Sequence, residues 1–187
     1  ANIPADLQRV PIVVNPRDCV PKDYIRGNIK DNMKLIPKDK FIEKCRTHND
    51  HAIIVSGGPN INYKELKDTL AKYPDAMTMC VKHAYPGLIA NNIKPKACIL
   101  LDPRSIEGES THGVKRKDLL KDLDKDTKFL VASMTDPSVT NYLMEKKADI
   151  WGWHAFTESL RDEEDRKHAI KNNQVKIRED IGLPVGA

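Results

Sequence analysis

A chain of 187 residues with 40% hydrophobic and 31% charged residues has the composition of an ordinary soluble globular protein. Its length is enough for one domain with an appendage and a sizeable core. The formal net charge of +4 is mild and forms no concentrated basic stripe, which argues against a nucleic-acid surface. No apolar run approaches the roughly 20 residues needed to cross a bilayer, and no signal-peptide pattern opens the sequence.

The cysteines indicate a reducing compartment. They are far apart in the sequence and form no C-x-x-C pair: Cys19, Cys45, Cys80 and Cys98. The last two lie in predicted buried strands, where a free cysteine behaves as a small hydrophobic residue. We therefore expect reduced thiols and a cytoplasmic protein.

Residues 1–36 are predicted to form an extended arm outside the compact domain. Frequent prolines favour polyproline-like chain without regular hydrogen bonds, and they occur at Pro4, Pro11, Pro16 and Pro21. The apolar residues of the arm need a surface to cover them, which is either their own domain or a neighbouring subunit. Residues 37–187 are then the folded domain, which opens with a helix predicted over residues 37–48.

Strands alternate with helices along this domain. Short β-branched or apolar runs predict strands at 52–55, 76–81, 97–101, 128–133 and 149–153. Helices are expected between them, at 61–72, 85–92, 117–123 and 137–146. This alternation predicts an α/β domain with a mostly parallel sheet and helices on both faces. Residues 105–116 are predicted to be a long polar loop, residues 158–180 an exposed charged helix, and residues 182–187 the approach to another strand.

Right-handed crossovers place the carboxyl ends of parallel strands at one edge, where ligands of such sheets bind. The residues predicted at this edge are Ser56 to Asn60, Lys82 with His83, Asp102 to Arg104, Ser133 to Asp136, and Trp153 with His154. We expect the amides of the first turn to face the carboxylate of Asp102 across this edge.

The turn after the first strand is the best candidate for binding an anion, most often a phosphate. Ser56, Gly57 and Gly58 allow a sharp bend, and Pro59 and Asn60 suit the start of a helix, whose positive end attracts phosphate. The turn lacks the P-loop and G-x-G-x-x-G patterns, which disfavours classical NAD binding. The alternative is a tight turn that binds no ligand.

Ionisable residues at the same edge suggest chemistry. Asp102 could hold a divalent metal ion, bind a ribose or act as a base. The alternative is that it only caps a helix or the loop that follows. Arg104 and Lys82 are expected either to neutralise phosphate or to be solvated charges. His83 and His154 are candidates for proton transfer at neutral pH.

Three of these segments resemble the opening half of the MptE-like family. They are Ile54-Val-Ser-Gly-Gly-Pro-Asn60, Leu88-Ile89 with Ile93-Lys-Pro-Lys96, and Leu100-Leu-Asp-Pro103, within roughly residues 50–155. That family includes 6-hydroxymethylpterin diphosphokinases and flagellin glycosyltransferases called motility accessory factors, and relatives occur in tailed-phage genomes. The family often has G-x-G where this chain has Ser-Gly-Gly, and a serine where it has Asn60.

The resemblance implies a Rossmann-like or sialyltransferase-like fold with a nucleotide or nucleotide-sugar site at Gly57, Gly58, Pro59 and Asp102. The family domain normally continues into a further glycine-rich strand and helix that this sequence does not contain. Either the chain is a piece of a larger protein, or activity has been lost or is completed by a partner.

Two functions from different classes follow from the sequence. The first is a nucleotide-dependent transferase for a phosphoryl, diphosphoryl or glycosyl group. Its expected cofactors are Mg²⁺ at Asp102 and a nucleotide, either ATP or a nucleotide-sugar, and Asp102→Asn is expected to weaken nucleotide binding. The second is a non-catalytic subunit of a homo-oligomer or a larger assembly such as a phage particle, tied together by the arm, which places the protein in the host cytoplasm or the virion.

Overall fold

A computed structural model describes residues 20–42, 51–110, 113–155, 175–178 and 183–186. The helices are α1 (Lys22–Leu35), α2 (Tyr63–Lys72), α3 (Tyr85–Ala90) and α4 (Pro137–Glu145), with 3-10 turns at Lys38–Lys40 and Arg116–Leu120. The strands are β1 (Ala52–Val55), β2 (Met77–Val81), β3 (Ala97–Leu100), β4 (Lys128–Ala132), β5 (Asp149–Trp153), β6 (Val175–Arg178) and β7 (Leu183–Gly186). Within these residues, no helix is both long and apolar enough to cross a membrane.

The five predicted strands form one parallel sheet in the order β1-β2-β3-β4-β5. The prediction of an α/β, Rossmann-like domain is therefore confirmed. Because neighbours in the sheet are also neighbours in the sequence, the order never reverses within these five strands. The site at the carboxyl edge thus lies outside a continuous row of strand ends rather than at a reversal of strand order.

The main core lies on one face of the sheet. The register of the strands places five residues side by side across the sheet: Val55, Cys80, Cys98, Phe129 and Ile150. These side chains pack against the inner faces of α2, α3 and α4, through residues that include Leu66, Leu88 and Leu143. On the other face, Ile25 of α1 packs with Ala132 and Trp153 at the ends of β4 and β5.

Helix α1 corrects the prediction of an extended arm. Residues 22–35 are helical rather than extended, and their buried residues are Ile25, Asn28 and Asn32. The prolines predict extended chain, but the stretch between Pro21 and Pro37 contains none. Its 14 helical residues are therefore uninterrupted. Residues 1–19 lie outside the described part.

Two further corrections concern the flanks of β1. The helix predicted over 37–48 is only a 3-10 turn at Lys38–Lys40, after which Phe41 bridges to Gly152 of β5; residues 43–50 lie outside the described part. Helix α2 begins at Tyr63, not at Pro59, because Asn62 caps it by accepting a hydrogen bond from the Glu65 amide.

The loop and the C-terminal end also differ in part. Residues 105–116 contain an antiparallel bridge between Glu109 and Lys115, and the next segment is a 3-10 turn rather than an α-helix. Residues 175–178 are strand β6, not helix, and they pair with β7. Residues 183–186, where the sequence predicts only the approach to another strand, are themselves strand β7. Residues 156–174 lie outside the described part.

Asn32 fixes α1 to the domain through three buried hydrogen bonds. Its Nδ2 donates to the carbonyls of Ser133 and Thr135, at 2.9 and 2.6 Å, and its Oδ1 accepts from Thr140 Oγ1 at 2.7 Å. Asn32→Leu is expected to destabilise the fold by about 3 kcal/mol, because it leaves buried carbonyls without a donor. Urea unfolding measures this loss.

The matched control is Met33→Leu at the next residue, which is 53% exposed. It is expected to leave the free energy of unfolding almost unchanged. Equal stability of the two variants would show that α1 is not anchored as described.

Candidate functional site

The carboxyl ends of the five parallel strands meet at one edge, which we call the rim. The turns that follow them are Ser56–Asn60 after β1, Lys82–Ala84 after β2, Asp102–Arg104 after β3, Ser133–Asp136 after β4, and His154 after β5. The expectation that the glycine turn and Asp102 share an edge is thus correct. Two strand spacings, about 9.5 Å, separate the ends of β1 and β3.

Asp102 is the centre of an ion-pair cluster on the rim. Its Oδ1 accepts from the Nε and the backbone amide of Arg104, at 2.8 and 3.1 Å. Its Oδ2 accepts from Lys82 Nζ at 2.9 Å and from Arg104 Nη2 at 3.0 Å. The carboxylate thus joins the turn after β2 to the turn after β3.

Arg116 is a third cation at this carboxylate, and sequence reasoning did not single it out. Its Nε lies 3.7 Å from Asp102 Oδ2, and its Nη1 donates to the Ser105 carbonyl at 2.5 Å. Gly108 makes room for it, because a Cβ at that position would lie 2.3 Å from Nη1. No local sequence pattern links Arg116 to Asp102, since a folded loop joins them.

The cluster is largely shielded from solvent and carries more positive than negative charge. The side chains of Lys82, Asp102 and Arg116 are 9%, 13% and 11% exposed, and Arg104 is the most accessible of the cations at 29%. Burial alone would raise the pKa of Asp102, but hydrogen bonds from Arg104 and Lys82 and the charge of Lys82 hold that pKa well below its usual range. Asp102 is therefore a carboxylate at neutral pH and a weak base.

The cluster does not fit a divalent cation. A carboxylate has about four lone-pair positions, and the four hydrogen bonds from Lys82 and Arg104 occupy them. In the described part of the chain, no group of three or more His, Cys, Asp or Glu side chains could hold a metal ion. The role of Asp102 as a metal ligand remains a prediction, and the excess positive charge favours an anion there instead.

The glycine turn is exposed from Ser56 to Asn60. A Cβ on Gly57 would lie 3.1 Å from His83 Cβ, whereas a Cβ on Gly58 would have no neighbour within 4 Å. His83 is exposed beside this turn, and the adjacent Lys82 points to Asp102. Because α2 starts at Tyr63, the amides of Ser56 to Asn60 do not lie at the N-terminus of the helix, where the sequence predicts them.

Helix α1 forms one wall of the rim, which was also missed in the sequence. Asn28 Nδ2 donates to the carbonyls of Pro103 and Met134 at 3.0 and 3.1 Å. The Tyr24 hydroxyl donates to Asp136, and this hydrogen bond raises the pKa of Tyr24. Asp136 in turn caps α4 by accepting a hydrogen bond from the Ser138 amide at 2.9 Å.

His154 lies at the far end of the rim and is committed to structural contacts. Its Nδ1 is 3.0 Å from the buried Ser133 Oγ, and its ring stacks on Phe41 at 4.9 Å. Burial lowers the pKa of His154, so the ring is mainly neutral at pH 7.

The comparisons with known proteins decide the family. A family model described as 6-hydroxymethylpterin diphosphokinase MptE-like matches residues 24–178. The chain belongs to the MptE-like family. No curated protein and no solved structure matches it. The matched region of this MptE-like chain begins inside α1, so the helix that closes the rim is part of the family domain.

The depressed pKa of Asp102 predicts how stability depends on pH. A carboxyl group whose folded pKa lies below its unfolded value, about 3.9, contributes stability above that value and loses it as the pH falls through the folded pKa. Asp102→Asn is expected to destabilise the protein by about 3 kcal/mol near neutral pH, because three shielded cations lose their counterion. The difference from the wild type should narrow below about pH 4 in urea unfolding experiments.

Asp23→Asn is the matched control, because Asp23 pairs with Arg26 but its side chain is 94% exposed. It should have little effect at any pH. A difference between Asp102→Asn and the wild type that stays constant down to about pH 3 would contradict this account of the cluster.

Proposed function

We propose that this MptE-like protein is a nucleotide-dependent transferase that binds the phosphates of a nucleotide or nucleotide-sugar along the rim. The observation that carries the proposal is the cluster in which Lys82, Arg104 and Arg116 surround the single carboxylate of Asp102. Its excess positive charge lies beside an open glycine turn. Shielded cations and exposed amides together suit a polyphosphate.

The rim offers contacts along the length of such a ligand. The amides of Ser56 to Asn60 lie after β1, Lys82 lies after β2, and Arg104 lies after β3. A ligand with linked phosphates can span the about 9.5 Å between the first and third of these turns. We assign the phosphates to this path, with the amides at one end and the cationic cluster at the other.

Charge stabilisation is the main catalytic contribution that these residues can make. Transfer of a phosphoryl, diphosphoryl or glycosyl group from a nucleotide develops negative charge on the phosphate oxygens of the leaving group, and preorganised cations stabilise it. Arg104 is the best placed because it is the most exposed cation of the cluster. His83, exposed beside the glycine turn, is the candidate for moving a proton to or from the acceptor.

Asp102 has an organising role in this proposal. It holds Lys82 and Arg104 in one arrangement before the ligand arrives. The four hydrogen bonds that Asp102 accepts leave it no lone pair for a metal ion. ATP and a nucleotide-sugar, each with and without Mg²⁺, are the ligands to compare.

Nucleotide binding is tested by thermal unfolding of the full chain. At a ligand concentration of about 100 times Kd, the stabilisation is about 2.7 kcal/mol, which corresponds to a rise in Tm of about 5 to 10 °C. Gly58→Asp should abolish this rise, because it adds a negative charge where the phosphates bind. It should leave the Tm of the free protein nearly unchanged, since a Cβ at Gly58 meets no atom and its backbone is outside the left-handed region.

Gly58→Ala controls for the added Cβ and should keep most of the nucleotide-induced rise. Gly27→Asp, at an exposed glycine of α1 that also has open space, controls for the added charge. If neither ATP nor a nucleotide-sugar raises the Tm of the wild type, the proposal fails and the structural-subunit hypothesis gains support.

A further inference from the structure

Residues 108–110 and 114–116 pair in an antiparallel manner, and we call these two segments the hairpin. Glu109 and Lys115 form an antiparallel bridge, the Ser110 amide donates to the Val114 carbonyl at 2.7 Å, and the Arg116 amide donates to the Gly108 carbonyl at 2.9 Å. Side chains alternate between the two faces of such a pair. Ser110 and Arg116 are therefore on the same face, opposite to Glu109 and Lys115.

Ser110 and Arg116 each have a buried polar side-chain atom that makes no hydrogen bond. Ser110 is 7% exposed and Arg116 is 9% exposed. Over the described part of the chain, Ser110 Oγ and Arg116 Nε are the buried side-chain nitrogen and oxygen atoms that have no hydrogen bond. An unpaired buried donor costs about 1–3 kcal/mol, so two of them on one face indicate that a partner group is expected there.

The chemistry of the two atoms specifies that partner. The Nε of arginine is only a donor, and a serine hydroxyl can donate. Asp102 does not serve, because its Oδ2 is 3.7 Å from Arg116 Nε, which is too long for a hydrogen bond, and that oxygen already accepts from Lys82 and Arg104. A group that can satisfy both donors beside two further cations is an anion with several oxygens.

We propose that Ser110 Oγ and Arg116 Nε form an oxyanion subsite of the rim that binds a terminal phosphate or pyrophosphate group. This proposal deepens the proposed function, since it lies at the cationic end of the same phosphate path. Of the three cations around Asp102, Arg116 makes the loosest contact with it, so its Nε is the donor that an incoming oxygen can take at the lowest cost. Of the acidic residues in this segment, Glu107, which precedes the hairpin, is paired with Lys117 at 3.0 Å, and Glu109 is exposed on the opposite face.

The test is isothermal titration calorimetry, which measures the affinity of the full chain for inorganic pyrophosphate and, separately, for inorganic phosphate. Arg116→Lys keeps the positive charge but loses the Nε donor, and it should weaken pyrophosphate binding at least about tenfold. Ser110→Ala removes the hydroxyl donor and should weaken binding about three- to tenfold. Lys115→Gln, which removes a positive charge from the opposite face of the hairpin, should change the affinity by less than about twofold.

Thermal unfolding of the free variants separates binding from folding. Ser110→Ala breaks no hydrogen bond of its side chain, so it should be at least as stable as the wild type. If Arg116→Lys fails to fold, pyrophosphate binding by the Ser110→Ala variant still tests the subsite. A purely structural serine would instead give a less stable variant with unchanged pyrophosphate affinity.

The outcomes distinguish this proposal from the proposed function. If the wild type binds nucleotide but Ser110→Ala and Arg116→Lys bind pyrophosphate as well as the wild type does, the subsite is wrong and the nucleotide site stands. Wild-type affinity in Arg116→Lys, which keeps the charge, together with a loss in Lys115→Gln, which removes one, would show a general charge effect and overturn the subsite. If the wild type binds neither nucleotide nor pyrophosphate, both proposals fail.

Discussion

The attraction between Asp102 and its cations holds three segments of the rim together. Lys82, Arg104 and Arg116 come from three different segments: the end of β2, the turn after β3, and the hairpin that follows. A carboxylate that is only 13% exposed must keep these partners, because an unpaired charge in that position is strongly destabilising. Stability does not require such a cluster, since apolar residues of similar volume would often stabilise the fold equally well. The excess of cations is therefore better explained by a ligand than by folding.

Helix α1 completes the rim on the side where the sheet alone leaves it open. A continuous strand order ends in a row of turns whose carbonyl groups point away from the strands and need donors. Asn28 supplies donors to Pro103 and Met134, and Asn32 supplies donors to Ser133 and Thr135. Each asparagine thus fixes two carbonyls of the turns that carry the site. Through Pro103, Asn28 helps to fix the turn that carries Asp102.

The parts of this structure that sequence predicts are those whose signals are local. All five parallel strands arise from short apolar runs, and their shared carboxyl edge follows from parallel topology, so Asp102, Lys82 and the glycine turn could be placed together. The sequence also contains the signal for the start of α2, because Asn62 and Glu65 have the spacing of an N-terminal cap. Pro59 offers a second possible helix start and favours the wrong one. Helix α1 escaped detection because asparagines, not apolar residues, form much of its buried face. Arg116 escaped because backbone pairing within the hairpin, which no side-chain pattern announces, brings it to Asp102.

In the proposed anion-binding site, the central carboxylate of Asp102 would by itself repel the ligand. Without it, however, the three cations would repel one another in a poorly solvated place and would move apart. Asp102 orders the Lys82 and Arg104 side chains before binding, so the ligand does not have to supply the conformational entropy that ordering them costs. Arg116 differs, since its Nε is held near Asp102 but not hydrogen-bonded to it. In the proposed site, the same carboxylate fixes two cations as a scaffold and leaves Arg116 Nε without a hydrogen bond, so this donor remains for the anion that we propose to bind there.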